Sequence, residues 1–435
     1  MNTPEENRKH VVVIGGGFAG LNFIRHLAKS KRYRITLVDM NNYNYFTPLL
    51  YQVATSFLEP SSISYPFRKL FTGKGVQFRL ASVSKVDTQQ NKLFLSDGEQ
   101  LQYDLLVFAA GTETNFFGNE SIKQNAVFLK SIDDALFMRN ELIRLFEKAA
   151  IEKDPLEREK LLTIVIAGGG PTGVEVAGML GEMKKYLIGK EYPELKNSPI
   201  NIHVIEGAST VLTAMSNKTH QRAAEALKQL GVQVKLNTLV TSFKDEQVHL
   251  SDGAVIHAKT LLWTAGVVAR TFDGIAATSL GKGRRMITDA YNRVQGYDNV
   301  FAIGDISIQF TDQDYPNGHP QLAQPAIQQG KTLALNLLRM AKGQQPKPFK
   351  YFDRGDMAII GRKFAVADLF KHKLHLGGLL GLVSWLFIHV ISLVNYNNKI
   401  KTLYNWGVAY ITSDQALRMI FQTAQPGKKQ NSSRF

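Results

Sequence analysis

The chain has 435 residues, long enough for two or three domains, and its 44% hydrophobic and 20% charged content belongs to a globular protein with a sizeable core. It contains no cysteine, which excludes disulfides, thiolate metal sites and dithiol redox centres, so redox chemistry here requires a bound cofactor. Lys and Arg outnumber Asp and Glu by 52 to 37, and the excess is concentrated beyond residue 340, where 14 basic residues face 4 acidic ones.

The first ten residues are polar and lack the apolar stretch of an export signal, so a cytoplasmic chain is expected. Val11-Val12-Val13-Ile14 then predicts a buried strand, followed by the loop Gly15-Gly16-Gly17-Phe18-Ala19-Gly20 and a helical pattern over 21–29. A second strand, 34–38, ends at Asp39. The turn Leu95-Ser96-Asp97-Gly98 predicts an antiparallel hairpin, and an apolar strand runs into Ala110-Gly111.

The same landmarks then return in the same order. A strand at 164–167 leads into Gly168-Gly169-Gly170-Pro171-Thr172-Gly173 and a helical pattern over 174–185. Strand 201–205 ends at Glu206, Leu250-Ser251-Asp252-Gly253 turns, and Leu261-Leu262-Trp263 leads into Ala265-Gly266. From the turn aspartate to the closing glycine is 14 residues in both copies. Five matched landmarks in order predict a duplicated α/β unit, each copy a Rossmann-like dinucleotide-binding domain with a small antiparallel excursion.

A strand, a G-x-G-x-x-G loop and a helix together form a pyrophosphate site, because loop N–H groups and the positive helix end face the ligand. Gly15 and Gly168 permit the tight turn, Gly17 and Gly170 let a phosphate approach the backbone, and Gly20 and Gly173 let helix and strand pack closely. Asp39, 19 residues after Gly20, and Glu206 stand where a carboxylate accepts bonds from ribose hydroxyls. Glu206 would repel a 2′-phosphate, and Gly207 and Ala208 supply no compensating Arg, so the second site is expected to prefer NADH to NADPH.

Later in the chain, Asn299-Val300-Phe301-Ala302-Ile303-Gly304-Asp305 reads as a buried strand ending in Gly-Asp, with no equivalent after the second copy. Asp305 could also cap a helix. A helical pattern over 322–340 has Pro325 in its first turn, and its positive end could stabilise negative charge on a bound group. In the tail, 374–398 holds no charged residue and 377–394 is almost wholly apolar. That length barely reaches the roughly 20 residues of a spanning helix.

Flanking lysines at 371, 373, 399 and 401, followed by Tyr404, Trp406, Tyr410, Ile411, Leu417, Ile420 and Phe421, favour a helix lying on a membrane surface over one crossing it. His389 is expected to be a packed histidine, and 425–435 to be disordered.

These residues resemble the type II NADH:quinone oxidoreductases, which do not pump protons and belong to the flavoproteins with two dinucleotide-binding domains. The resemblance rests on Tyr45-Phe46-Thr47-Pro48-Leu49-Leu50-Tyr51-Gln52-Val53-Ala54, the Gly168 to Glu175 run, Gly304-Asp305, Ala323-Gln324 and the tail. It departs at Asn42-Tyr43-Asn44-Tyr45, where many members carry His. The resemblance implies FAD, held non-covalently, in the first unit, with Phe18, Ala19, Pro48, Leu49, Val83, Ala110, Gly111, Gly304, Asp305, Ala323, Gln324 and Lys373 joining the loop glycines and Asp39. It implies NADH against Thr172, Val174, Glu175, Ala265 and Gly266 in the second, and a quinone against Tyr51, Ala323 and Gln324.

Glu175 and Gln324 would then act on the reaction itself, Glu175 beside the nicotinamide and in the proton path. The FAD domain is expected to be split, 1–118 and 283–345, around an inserted NADH domain at 119–282, with 346–435 a helical membrane-anchoring region. Attachment to anionic lipid on the cytoplasmic face of the inner membrane follows, in a respiratory role. No metal or nucleic acid is expected, and a homodimer is allowed. The related sulfide:quinone and disulfide reductases need cysteines that this chain lacks. Two alternatives are a soluble NADH-dependent reductase passing electrons to a protein, and a flavin-bound regulator of nucleic acid, which the lipid-seeking tail disfavours.

Overall fold

In the computed structural model, which describes residues 8–371, 373–412 and 417–420, the apolar runs form two five-stranded parallel sheets. The first has the order Val300–Ala302, Leu105–Phe108, Lys9–Ile14, Tyr33–Asp39, Val76–Leu80. The second has the order Val127–Phe128, Thr260–Trp263, Thr163–Ala167, Asn201–Ile205, Val232–Lys235. Central strands are buried on both faces, which is why they read as continuous Val/Ile/Leu runs.

The helix after the first loop, α1 (Phe18–Leu27), starts earlier than its apolar pattern suggests, because Gly17 is its cap. A 3₁₀ turn at Thr47–Leu49 leads into the short, fully buried α2 (Leu50–Ala54). After the second loop comes α3 (Pro171–Lys190), with proline in the first turn where its missing N–H costs nothing. Each expected excursion is a three-stranded antiparallel sheet, and Gly98 and Gly253 hold positive φ at the Asp-Gly turns.

The fifth strand of the second sheet has a different origin from that of the first. A counterpart of Val300–Ala302 does exist, but it precedes the second copy, as Val127–Phe128 beside Thr260–Trp263. The two units are joined by an antiparallel ribbon, Thr112–Thr114 with Val267–Ala269, directly after Gly111 and Gly266. Asp305 departs from one reading. It lies inside a 3₁₀ turn, Gly304–Ile306, whose cap is Ile303, so it is not a helix cap. The long helix α4 (Ala323–Met340) follows and packs against α1, where Gly330 lets the Ala19 carbonyl approach.

The region after 345 does not begin as helix. Gly355–Ile360, Phe364–Leu369 and Leu374–Gly377 form an antiparallel sheet whose first strand lies against α3, where Gly178 meets Ile360 and Gly361. Two helices follow, α5 (Gly378–Ser392) and α6 (Tyr396–Thr412). The apolar run thus starts as strand, and its helical part is 15 residues, or about 22 Å against a hydrocarbon core of about 30 Å. Among the described residues no helix is long and apolar enough to cross a membrane.

His389 is packed as expected. It stacks on Trp385 at 3.8 Å, edge-on to Phe46, and burial pulls its imidazole down to about 4. Residues 425–435 and Phe421 lie outside the described residues.

Candidate functional site

The two glycine loops match bond for bond. Gly15 N–H donates to the Val38 carbonyl and Gly168 N–H to the Ile205 carbonyl, at 2.9 and 2.8 Å. Gly16 N–H donates to Asp39 Oδ2 at 2.6 Å, and Gly169 N–H to Glu206 Oε2 at 2.5 Å. Each carboxylate takes a second backbone bond, from Asn41 N–H and from Ala208 N–H, both at 2.8 Å. One oxygen of each therefore braces the loop, and the remaining lone pairs are free for a ribose. Burial pushes the Asp39 carboxyl up, opposed by its two backbone bonds and Arg270.

The glycines divide by cause. Gly15 and Gly168 have φ of +98° and +108°, and a Cβ there would meet Ala109 O at 2.6 Å or Ala265 Cα at 2.9 Å. A Cβ on Gly20 or Gly173 would strike the carbonyl of Gly15 or Gly168. At Gly17 and Gly170 a Cβ would meet nothing within 4 Å, and Gly17 has an ordinary extended backbone. The fold does not require glycine at these two positions. A phosphate pressed against the backbone does, so both loops fit a dinucleotide.

Around the first loop the structure gathers Phe18, Ala19, Ala110, Gly111, Gly304 and Asp305. Gly304, φ +76°, lies where a Cβ would meet Ala19 Cβ at 2.9 Å, and its N–H donates to Gln329 Oε1 at 2.7 Å. Gln321 Nε2 donates to the Asp305 carbonyl at 2.9 Å, which ties the start of α4 to this turn. Ala323 and Gln324 are the first two residues of α4, half-buried, and no side chain caps that helix end, so their N–H groups face outward. Val83 begins the strand just beyond Ala81, whose N–H bonds the Asp39 carbonyl. Pro48 is half-buried, whereas the Leu49 side chain is sealed in the core and can offer a cofactor only backbone.

Around the second loop, Thr172 is exposed, Val174 is sealed in the core, and Ala265 and Gly266 close the far side as Ala110 and Gly111 do in the first. Glu175 is buried on α3 beside the backbone of Ile359, and burial pushes its carboxyl well above the usual range. The Tyr51 phenol, also buried and pushed up, lies within electrostatic reach of it. Lys373 stands exposed in the turn between the last two strands of the C-terminal sheet.

The structure adds Lys130, which sequence reading passed over, and gives Asn44 and Trp406 partners that it did not foresee. Lys130 sends its ammonium to Thr112 Oγ1 at 2.6 Å; burial pulls its pKa down while Asp305 opposes, and Lys130 with Arg285 in turn restrains the raised Asp305 carboxyl. Asn44, buried, donates to the Gly16 carbonyl at 2.8 Å and holds the first loop from outside. Trp406 of α6 reaches Gln52.

The raised Glu175 carboxyl has a consequence for stability. The folded chain keeps a proton that the unfolded chain releases above about 4.5, so the stability it contributes is complete below that pH and lost as pH rises toward the folded value. Glu175→Gln should therefore match wild type in thermal denaturation near pH 4.5 and become the more stable protein toward pH 8. A constant gap in Tm across that range would exclude a neutral Glu175.

Residues 9–330 match the model of the pyridine nucleotide-disulphide oxidoreductase family. The chain is 34% identical to the type II NADH:quinone oxidoreductase Ndh of Mycobacterium tuberculosis, covering 94% of this chain and 90% of that one. It is 28% identical to the type II NADH:quinone oxidoreductase of Haemophilus influenzae, over 83% and 87% of the two chains. The structure of NDH2 from Plasmodium falciparum in complex with NADH superposes with a TM-score of 0.87 at 20% identity, over 96% of this chain and all of that one. The sulfide:quinone oxidoreductase of Aquifex aeolicus shares the fold at a TM-score of 0.71 and 19% identity, over 93% and 95% of the two chains. With the doubled loop, the Gly304-Asp305 turn and the cysteine-free sequence, these likenesses show that the chain belongs to the type II NADH:quinone oxidoreductases.

Proposed function

We propose that the chain oxidises NADH and reduces a membrane quinone to quinol by two electrons through FAD, without moving protons across the membrane. The observation that carries this is the pair of matched glycine loops, in which Gly17 and Gly170 border open space where a pyrophosphate can approach the backbone. Bound FAD supplies the two-electron acceptor between nicotinamide and quinone.

In this reading Gly15, Gly17, Gly20, Asp39 and the 304–305 turn hold FAD, with Lys130 and Arg285 acting electrostatically on Asp305. Gly168, Gly170, Gly173 and Glu206 hold NADH in preference to NADPH. The two nucleotide domains divide at about residues 118 and 282, the second inserted in the first. Gln324, at the uncapped start of α4, orients a quinone carbonyl, and neutral Glu175 with Tyr51 offers protons to the reduced quinone.

The exposed apolar faces of α5 and α6 support attachment to a lipid surface. Leu379, Leu380, Val383, Phe387 and Ile391 line one, and Tyr396, Ile400, Leu403 and Tyr404 the other, with Lys373, Lys399 and Lys401 suited to anionic headgroups. The cytoplasmic leaflet, rich in such headgroups, is the surface they fit. A homodimer is compatible with this arrangement.

The test is anaerobic reconstitution in vesicles. NADH should bleach the flavin spectrum, NADPH should do so far more slowly, and added quinone should restore it. A protein that bleaches with NADH, ignores quinone and reduces a ferredoxin-like protein in solution would be the alternative soluble reductase. In stopped-flow measurements Gln324→Ala should raise quinone KM about fivefold, one hydrogen bond's worth, and leave flavin reduction unchanged. Slowed flavin reduction would move Gln324 to the nicotinamide side.

A further inference from the structure

Between the turn that carries the Pro48-Leu49-Leu50-Tyr51 segment and the C-terminal helices runs a buried chain of hydrogen bonds whose direction can be deduced. The Trp406 indole nitrogen lies 2.8 Å from Gln52 Oε1, and Gln52 Nε2 lies 2.9 Å from the Tyr51 hydroxyl. An indole N–H can only donate. The amide oxygen of Gln52 must therefore face Trp406 and its NH₂ must face Tyr51, which removes the usual ambiguity of an amide. Tyr51 consequently accepts from Gln52, and its own O–H must point to another acceptor.

Tyr51 is 2% exposed, so bulk water does not serve it. Glu175 on α3 and Tyr410 on α6, whose own hydroxyl donates to the Arg362 carbonyl at 2.7 Å, act on it electrostatically.

Trp406 is itself held from the opposite side. Asn398 Nδ2 reaches the carbonyls of Ser61, Ser62 and Ser64, each at 3.0 Å. Asn405 Nδ2 reaches Ser62 Oγ at 2.8 Å, and Thr402 Oγ1 the Ser62 carbonyl at 3.2 Å. One face of α6 is thereby latched to residues 61–64 while its other face is apolar and exposed.

We infer that Trp406 is a positioning residue for quinone reduction: through Gln52 it fixes the Tyr51 hydroxyl so that its oxygen accepts from Gln52 and its O–H is turned away from that amide. The inference rests on the reading that Tyr51 serves the quinone. It gives a helix of the lipid-facing region a part in the chemistry that does not depend on lipid contact.

A double-mutant cycle on the FAD-loaded full chain, read by stopped-flow with NADH and a soluble quinone, tests it. Trp406→Phe keeps the ring but removes the donor, and should slow flavin reoxidation by quinone about fivefold while flavin reduction by NADH stays at the wild-type rate. Tyr51→Phe should slow reoxidation at least as much. The double variant should be no slower than Tyr51→Phe alone, because the indole acts only through the phenol.

Multiplied effects in the double variant, or a wild-type rate for Trp406→Phe beside an impaired Tyr51→Phe, would overturn the inference and leave the quinone reading standing. A wild-type rate for Tyr51→Phe would remove the quinone reading and the inference together. Should Trp406→Phe lose its flavin, Gln52→Met cuts the same chain at its middle link and carries the same expectations.

Discussion

Gly173→Ala is expected to destabilise the folded chain by roughly 1–3 kcal/mol, the range for overpacking a site that cannot give way. The added Cβ would sit on the Gly168 carbonyl and 2.9 Å from Thr264 Oγ1. Neither can retreat. Thr264 Oγ1 is bonded to the carbonyls of Ala167 and Gly168 at 2.8 and 3.1 Å, and Gly168 N–H is bonded across the sheet.

Gly170→Ala should behave in the opposite way. Its Cβ enters open space, so Tm should hold, but the nucleotide can no longer approach the backbone and KM for NADH should rise about tenfold or more. Gly20→Ala and Gly17→Ala should repeat the contrast, with bound flavin as the readout. Differential scanning calorimetry beside steady-state kinetics separates the two effects. A Gly170→Ala protein with normal NADH kinetics would remove the second loop from the binding site.

The second large effect is expected from Leu380→Glu with Phe387→Glu. These side chains are 69% and 64% exposed on α5, on the face away from Leu382 and Trp385, so charging them leaves the internal packing intact. Burying each in lipid is worth about 1.5–3 kcal/mol, so partition to vesicles should fall by at least about a hundredfold for the pair. Flavin reduction by NADH should be unchanged. Co-sedimentation with phosphatidylglycerol vesicles measures the first and stopped-flow the second. Undiminished sedimentation would mean that α5 is not the attachment surface.

The nucleotide-binding sheets were readable from sequence because their determinants are local: apolar strands, a glycine loop opening a helix, and a carboxylate closing the next strand. The bracing of Gly16 and Gly169 by Asp39 and Glu206 needs only neighbouring elements. The C-terminal sheet was hidden for a physical reason. Ala365, Val366 and Ala367 are all fully buried, so Phe364–Leu369 shows no alternation, and the following apolar run made the whole region read as membrane-seeking helix.

Leu49 and Val174 sit inside segments that the sequence assigns to nucleotide binding, yet their side chains are core residues. Lys130 precedes Ser131, whose capping box with Asp134 is legible, but nothing nearby says that its ammonium meets Thr112. The link from Trp406 to Gln52 spans 354 residues and leaves no local trace at all.

The fifth strands of the two parallel sheets differ only in which side of their copy they come from, and this sets an order of assembly during synthesis. The inserted sheet is closed by Val127–Phe128, so every strand it needs has emerged once Trp263 leaves the ribosome. The host sheet waits for Val300–Ala302, and until then the edge of Leu105–Phe108 next to it stays open. During translation the strands of the inner sheet are thus complete before the outer sheet can close, while the core beneath α3 still awaits the Gly355–Ile360 strand.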